Sequence, residues 1–281
     1  ARFNFIGVGT DVDAGADTAT FMVQRYDGAW STNVVGNWSP TNTLALNVTT
    51  FGDFAIGNPG SNGPASFTTN TIFFNYTNRA ALLAAGWDFI ARTATGDNRN
   101  TEQTSGAVVS FDQVAHPGVI RIPVDEGDVW EESNDSRNTL FLDLPSGWTS
   151  VRLKINSFEP TQDMQLAGML AYQDDDNFVQ IVKRRNYNSH LVLLHEEDEV
   201  GEVLQVIPSL PDGSLWLRMD YNAAMGTFFG YYSFDGVAWR YAGSVEQTLA
   251  SPRLAIFTGS SSGGFPNADI EWAEISLEPL A

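Results

Sequence analysis

Short runs in which apolar and polar residues alternate fill most of the chain, with Gly, Pro, Asn and Asp between them. The clearest are FNFIGVG, TATFMVQRY, VIRIPV, TLFLDL, SVRLKI, LVLLH, LWLRMDY, FFGYYSF, RLAIFTG and IEWAEISL. A two-residue period sends successive side chains to opposite faces of a strand, so this pattern predicts many short strands joined by turns. A helical period is confined to NRAALLAAG, residues 78–86, with Asn78 as cap and Gly86 as stop. The expected fold class is all-β, a sandwich preceded by a small β-rich N-terminal module. No internal repeat is visible, which argues against solenoids and propellers.

Face assignments follow from the same period. In LAGMLAYQ, Met169 and Ala171 share a face, while Ala167 and Gly168 leave room for close sheet-to-sheet contact. In FVQIV, Phe178, Gln180 and Val182 point one way, Val179 and Ile181 the other. Asp174, Asp175, Asp176 and Asn177 between these runs suit a tight connection, because Asx side chains bond local backbone and tolerate positive φ. Asp235-Gly236 is a second hairpin signal, and places Trp239 on the returning strand.

The clearest seam is NPGSNGPAS, residues 58–66. The expected division is a small β module at 1–58, a linker and first strand at 59–80, and the sandwich at 81–281. About 58 residues is close to the lower limit for a self-sufficient core, and the chain has no cysteine to staple it. The first module reads as the last strands of a sandwich whose first strands are missing. It must pack on the main domain or be completed by another molecule.

Charge and composition narrow the partners. Asp and Glu number 34 against 15 Lys and Arg, a net charge of −19. Such a surface repels phosphate backbones and anionic headgroups, so neither nucleic acid nor a membrane surface is an expected partner. No apolar run approaches the ~20 residues needed to cross a bilayer, so no membrane insertion is expected. The absence of Cys excludes disulfides, thiolate zinc sites and cysteine nucleophiles. The chain begins at Ala1 without an initiator Met, in keeping with processing on secretion or trimming. Asn37, Asn47, Asn75 and Asn134 open N-x-S/T sequons, the glycosylation candidates of an extracellular or cell-surface protein.

From about Trp87 onward the order of motifs is familiar: GVIRIPVDEGDVW (118–130), NTLFLDLPSGWTSVRLKI (138–155), AGMLAYQDDDNFVQIV (167–182), LWLRMDY (215–221), YYSFDGVAW (231–239) and ADIEWAEISL (268–277). This series, over about residues 87–279, resembles the concanavalin A-like jelly roll at the C-terminus of β-xylosidases and other family 43 glycoside hydrolases, and the related laminin-G-like domains. The most specific pieces are the A-G-x-x-x-Y-x-D-D-D-N-[FY]-V and S-x-D-G-x-x-W hairpins. The resemblance implies a concanavalin A-like jelly-roll β-sandwich and a carbohydrate-binding or substrate-framing role.

Candidate sites are few. Two-carboxylate hydrolysis needs acids about 5–10 Å apart astride a cleft, whereas Asp174, Asp175 and Asp176 are consecutive at a hairpin tip and read as a turn, with a calcium or sugar contact as the alternative. In ADIEWAEISL, Asp269 and Glu271 share a face and Glu274 falls on the other unless a bulge intervenes, so solvent-facing acids are expected. TDVDAGADT spaces Asp11, Asp13 and Asp17 as alternate loop carboxylates that can converge on a structural Ca²⁺, although a solvated turn fits equally well. No cofactor is required. His116, His190 and His195 suggest no nucleophile–base pair or zinc triad. HEEDEVGEV (195–203) reads as an acidic hairpin tip. Among the aromatic residues, Trp130, Tyr172 and Tyr187 lie beside polar loops and, with Asp174 and Asp176, are the candidate sugar contacts.

Three functions compete. The first is a non-catalytic, secreted or cell-surface structural or adhesive subunit that self-assembles, as far as a filament, through its N-terminal strands and displays a lectin-like sandwich. The second is a carbohydrate-binding module of a polysaccharide-degrading system, with a polysaccharide or glycan as partner. The third, a glucanase-type hydrolase, is disfavoured by the acid spacing. The incomplete N-terminal module favours the first, and no catalytic residue is assigned.

Overall fold

The structure is a computed structural model, described over residues 2–4, 21–26, 30–33, 42–46, 53–57, 68–89, 108–131, 133–134, 136–259 and 266–277. The chain divides into two compact units, 1–67 with 278–281, and 68–277. In the first unit β1 (Arg2–Asn4) pairs antiparallel with β4 (Asn42–Leu44), while β2 (Met22–Tyr26) lies between β3 (Trp30–Asn33) and β5 (Asp53–Gly57). Phe21, Val23 and Ala45 are buried, and the Phe3 and Phe54 rings meet at 5.1 Å.

The second unit carries β6 (Thr68–Phe73), helix α1 (Arg79–Ala84), β7 (Ile120–Pro123), β8 (Val129–Trp130), β9 (Ser133–Asn134), β10 (Leu140–Asp143), β11 (Trp148–Phe158), β12 (Leu166–Asp174) and β13 (Asn177–Asn186). It continues with β14 (Asn188–Glu197), β15 (Val200–Pro208), β16 (Leu215–Asn222), β17 (Thr227–Ser233), β18 (Arg240–Glu246), β19 (Arg253–Gly259) and β20 (Asn267–Leu277). Six strands form one antiparallel sheet in the order β10-β19-β12-β13-β14-β15. The other follows β18-β17-β16-β11-β20-β6, with β7 also on β20. The expected all-β sandwich is thus present. The helix forms as its ends dictate: the Asn78 side chain accepts from the Ala81 N–H at 2.9 Å, and Gly86 leaves it at φ 93°.

The core lies between the sheets. Val151, Leu153 and Ile155 of β11 and Leu215, Leu217 and Met219 of β16 meet Met169 and Ala171 of β12, Val179 and Ile181 of β13, and Leu191 and Leu193 of β14. The alternate residues of the six-stranded sheet do not face water. Leu170, Tyr172, Phe178, Val182, Val192, Leu194 and Phe257 are buried in a second cluster with Val129, and Trp130 packs against it. Val129 and Trp130 therefore strap the outer face of this sheet, within a segment described over 124–131, 133–134 and 136–139. The strap is tied down where the Asn138 amide donates to the Pro123 carbonyl at 3.3 Å. Because both faces of β12 and β13 are covered, their sequences are almost continuously apolar. Gly168 faces the strap side, where a Cβ would lie 2.3 Å from the Ile181 carbonyl oxygen. The close approach at Gly168 is to the neighbouring strand, whereas the sequence had suggested the opposite sheet.

The acidic tip expected in HEEDEVGEV is the β14–β15 turn, with Asp198 and Glu199 both at positive φ (51° and 65°). Beyond it the chain continues as β15, a strand that the alternation did not show.

Candidate functional site

Among the described residues the strap covers the outer face of the six-stranded sheet, while on the outer face of the seven-stranded sheet Arg152, Lys154, Trp216 and Arg218 are half-buried. Its register aligns residues far apart in sequence into rows across the strands. One row runs Phe73–Trp272–Lys154–Trp216, the next Thr71–Glu274–Arg152–Arg218–Tyr231–Tyr241. The rows exist because β11, β16 and β20 each send apolar side chains inward and polar or aromatic ones outward.

Charges in these rows are paired. Lys154 Nζ lies 2.5 Å from Glu271, Arg152 lies 3.0 Å from Glu274, and Arg218 clasps Asp220 with two hydrogen bonds. The same cations sit over rings: Lys154 at 5.0 Å from the Trp216 centroid, Arg218 at 5.0 Å from Tyr231, and Arg152 at 5.6 Å from Trp239. Trp239 does not lie on the returning strand as expected; it closes the β17–β18 connection and covers the two arginines. That connection is pinned by Asp235, whose Oδ1 accepts from the N–H groups of Val237 (2.8 Å) and Ala238 (2.7 Å), holding the carboxyl below its usual pKa.

The bulge allowed for in ADIEWAEISL is real. The register shifts between Lys154↔Trp272 and Ile155↔Ile270, and Glu271 and Glu274 each meet a cation on β11. Asp269 is likewise clasped by Arg121 at 2.7 and 2.8 Å. The three acids of this strand are thus all ion-paired. Replacing Glu274 with Gln is expected to cost less than about 1 kcal/mol, because a half-exposed pair contributes little, and urea denaturation measures it.

Among the described residues β6 pairs only with β20 at this edge of its sheet, and β10, at the matching edge of the other sheet, is bordered beyond β19 only by Asp88, which bridges Phe141. A cleft of about 670 Å³ opens there. Phe73, 58% exposed, stands at it with Asn70, Thr71, Asn75 and Tyr76, and the apolar side is formed by Leu142, Ile275 and Leu277. Burial raises the Tyr76 hydroxyl pKa above its ordinary value.

The residues singled out in the sequence do not converge here. Tyr172 is fully buried under the strap, its ring 5.0 Å from Phe141 and its hydroxyl donating to Asp175 at 2.5 Å, so it has no face to offer a sugar. Asp174 closes the turn, accepting from Asp176 N–H (3.1 Å) and the Asn177 amide (2.9 Å). Asp176 is half-buried beside Glu196. Trp130 is half-buried over Gly201, where a Cβ would lie 2.4 Å from its ring. Tyr187 is 80% exposed, at the other end of β13, roughly 30 Å from the aspartates at about 3.3 Å per residue. Asn75 is exposed in the cleft, and Asn134 lies in β9. Asp11, Asp13, Asp17, Asn37 and Asn47 lie outside the described residues. Among the described residues no group of three or more His, Cys, Asp or Glu is placed to hold a metal, and no helix is long and apolar enough to cross a membrane.

Two features were not visible in the sequence. Ser110 Oγ lies 3.1 Å from His116 Nε2, within a turn that Asp112 closes through the Val114 and Ala115 N–H groups. Glu196 is fully buried at the end of β14, and its Oε2 accepts from the Glu131 N–H at 2.8 Å. Burial, with Asp176, Glu131 and Asp128 nearby, raises its pKa to about 7.

Comparison with known proteins now adds to the geometry. Residues 108–267, more than half of the chain, match the family described as the beta xylosidase C-terminal concanavalin A-like domain. Among solved structures, the GH43 protein BlXynB from Bacillus licheniformis superposes with a TM-score of 0.59 at 16% identity, over 88% of this chain and 47% of that one. A xylan beta-1,4-xylosidase from Bacillus halodurans C-125 gives 0.52 at 16% identity, over 62% and 35%. GH43B of a Bacteroides ovatus xyloglucan PUL gives 0.52 at 14%, over 68% and 39%. At these identities the likeness is one of fold, and the chain spans about half the length of the first of these structures. A search of curated proteins finds no match. The sandwich topology and the matched residues agree: the chain belongs to the beta-xylosidase C-terminal concanavalin A-like domain family.

Proposed function

We propose that the chain is a secreted or cell-surface, non-catalytic carbohydrate-binding domain of a polysaccharide-degrading system, and that it binds through the outer face and β6 edge of its seven-stranded sheet. The family match over residues 108–267 carries this reading. The exposed rings of Phe73 and Tyr241 support it, since aromatic surfaces beside hydrogen-bonding groups suit sugar rings. On β20 the ion pairing of Asp269, Glu271 and Glu274 supports the non-catalytic part, because glycoside hydrolysis needs one carboxyl that holds a proton and one that is free to attack or to activate water.

Affinity electrophoresis of the intact chain through soluble xylan, arabinoxylan and β-glucan, alongside a reducing-sugar assay, tests both parts. Retardation by at least one polymer without new reducing ends is the expected result. No retardation by any polymer would sink the binding reading, and released sugar would sink the non-catalytic one.

The self-assembling, adhesive subunit is the second reading. Its support is the three-stranded sheet of the first unit, which ends in the short strands β3 and β5. Light scattering decides it: a constant 30.7 kDa at every concentration would end it.

A further inference from the structure

We infer that the cleft at the β6 edge is a subsite for one uncharged pyranose ring, with Phe73 as its stacking platform. This rests on the carbohydrate-binding reading above and specifies its ligand. The volume of about 670 Å³ lies within the usual range of small-ligand sites, and the cleft has a structural reason: it opens between β6 and β10, the edge strands of the two sheets among the described residues. A large exposed ring at a concave, partly apolar site is what the C–H face of a sugar packs on, and Phe73 is that ring.

Around it the polar groups other than Asp143 are neutral. The amides of Asn70 and Asn75 each bring donors and an acceptor, the Tyr76 hydroxyl can do either, and the Thr71 hydroxyl, which donates to Glu274 at 3.4 Å, can still accept, a set matched to sugar hydroxyls. Asp143 is the one charged side chain among the lining residues, and its carboxylate faces Arg253 at 2.9 Å. Among the described lining residues none is a cation that could fix a uronate carboxylate, and the chain's net charge of −19 repels one. A neutral sugar is therefore selected over an acidic sugar.

Calorimetric titration of the full chain with xylotetraose and, separately, with trigalacturonic acid tests this, using Phe73→Ala and Asn70→Ala, with Tyr187→Asn as an exposed-ring control and circular dichroism to confirm folding. Expected are binding of xylotetraose that is insensitive to added salt, an affinity loss of about tenfold in Phe73→Ala, a smaller loss in Asn70→Ala, and none in Tyr187→Asn. Undiminished affinity in both cleft variants would place the sugar elsewhere and leave the carbohydrate-binding reading standing. Tighter binding of the acidic sugar would overturn the ligand class. No binding of either sugar, with no retardation by any neutral polymer, would bring down both.

Discussion

Gly168→Ala is expected to lose about 3 kcal/mol of stability, the upper end of what overpacking a filled core costs. The added methyl would meet the Ile181 carbonyl oxygen at 2.3 Å and Val182 Cα at 2.7 Å. Both are backbone atoms, so no rotamer change relieves the clash. β12 is also held on its other side by β19, through Gly168↔Phe257, which limits how far it can retreat. Opening the β12–β13 pair would disturb both clusters at once, since Met169 belongs to the inter-sheet core and Leu170 to the strapped face. Chemical denaturation measures the effect as a lowered midpoint with an unchanged m value. A loss below about 0.5 kcal/mol, the level of an ordinary surface change, would show that the two strands are not held this tightly.

Glu196→Gln is expected to stabilise the protein above pH 7 and to remove most of a pH dependence that the parent shows. The carboxyl titrates near 4.5 when exposed and at about 7 in the fold, where burial is the main cause and Asp176, Glu131 and Asp128 add to it. A raised pKa means that the folded protein holds a proton that the unfolded chain has released between these values. The stability this proton confers is complete below about pH 4.5, declines as the pH rises towards 7, and is gone above it. The span is about 3 kcal/mol in order of magnitude. Gln keeps the shape and the acceptor for the Glu131 N–H but cannot ionise, so its stability should not fall over that window on this account. Thermal melts of parent and variant at pH 5 and pH 8 provide the check: curves that stay parallel would mean that Glu196 does not titrate there.

How much of this was legible in the sequence depends on range. The split of Val179 and Ile181 from Phe178 and Val182 follows from the two-residue period alone, and the two sets do lie in different clusters. The Asn78–Gly86 helix and the Asp235-Gly236 turn were equally plain, because capping and turn chemistry act within a few residues. Partners across strands are another matter. Phe73 reaches Trp272 only through the pairing of β6 with β20, and no local pattern records that register. The bulge at Glu271 changes which acids share a face, and its signal lies in the pairing with β11. Tyr172 was misplaced for a related reason. Its polar neighbours suggested a rim, but the strap that buries it comes from about 40 residues earlier in the chain. The β6 cleft, formed where two sheets end, has no linear signature.

The most direct test of the central claim is a backbone amide NMR titration of the intact chain with a neutral xylo-oligosaccharide. Binding through the seven-stranded sheet predicts shifts concentrated at residues 69–76 of the β6 edge and at 272–276 of β20, with Val129 and Trp130 of the strap and the Asp174–Asn177 turn unmoved. Shifts confined to that strap and turn, or none at saturating sugar, would contradict it.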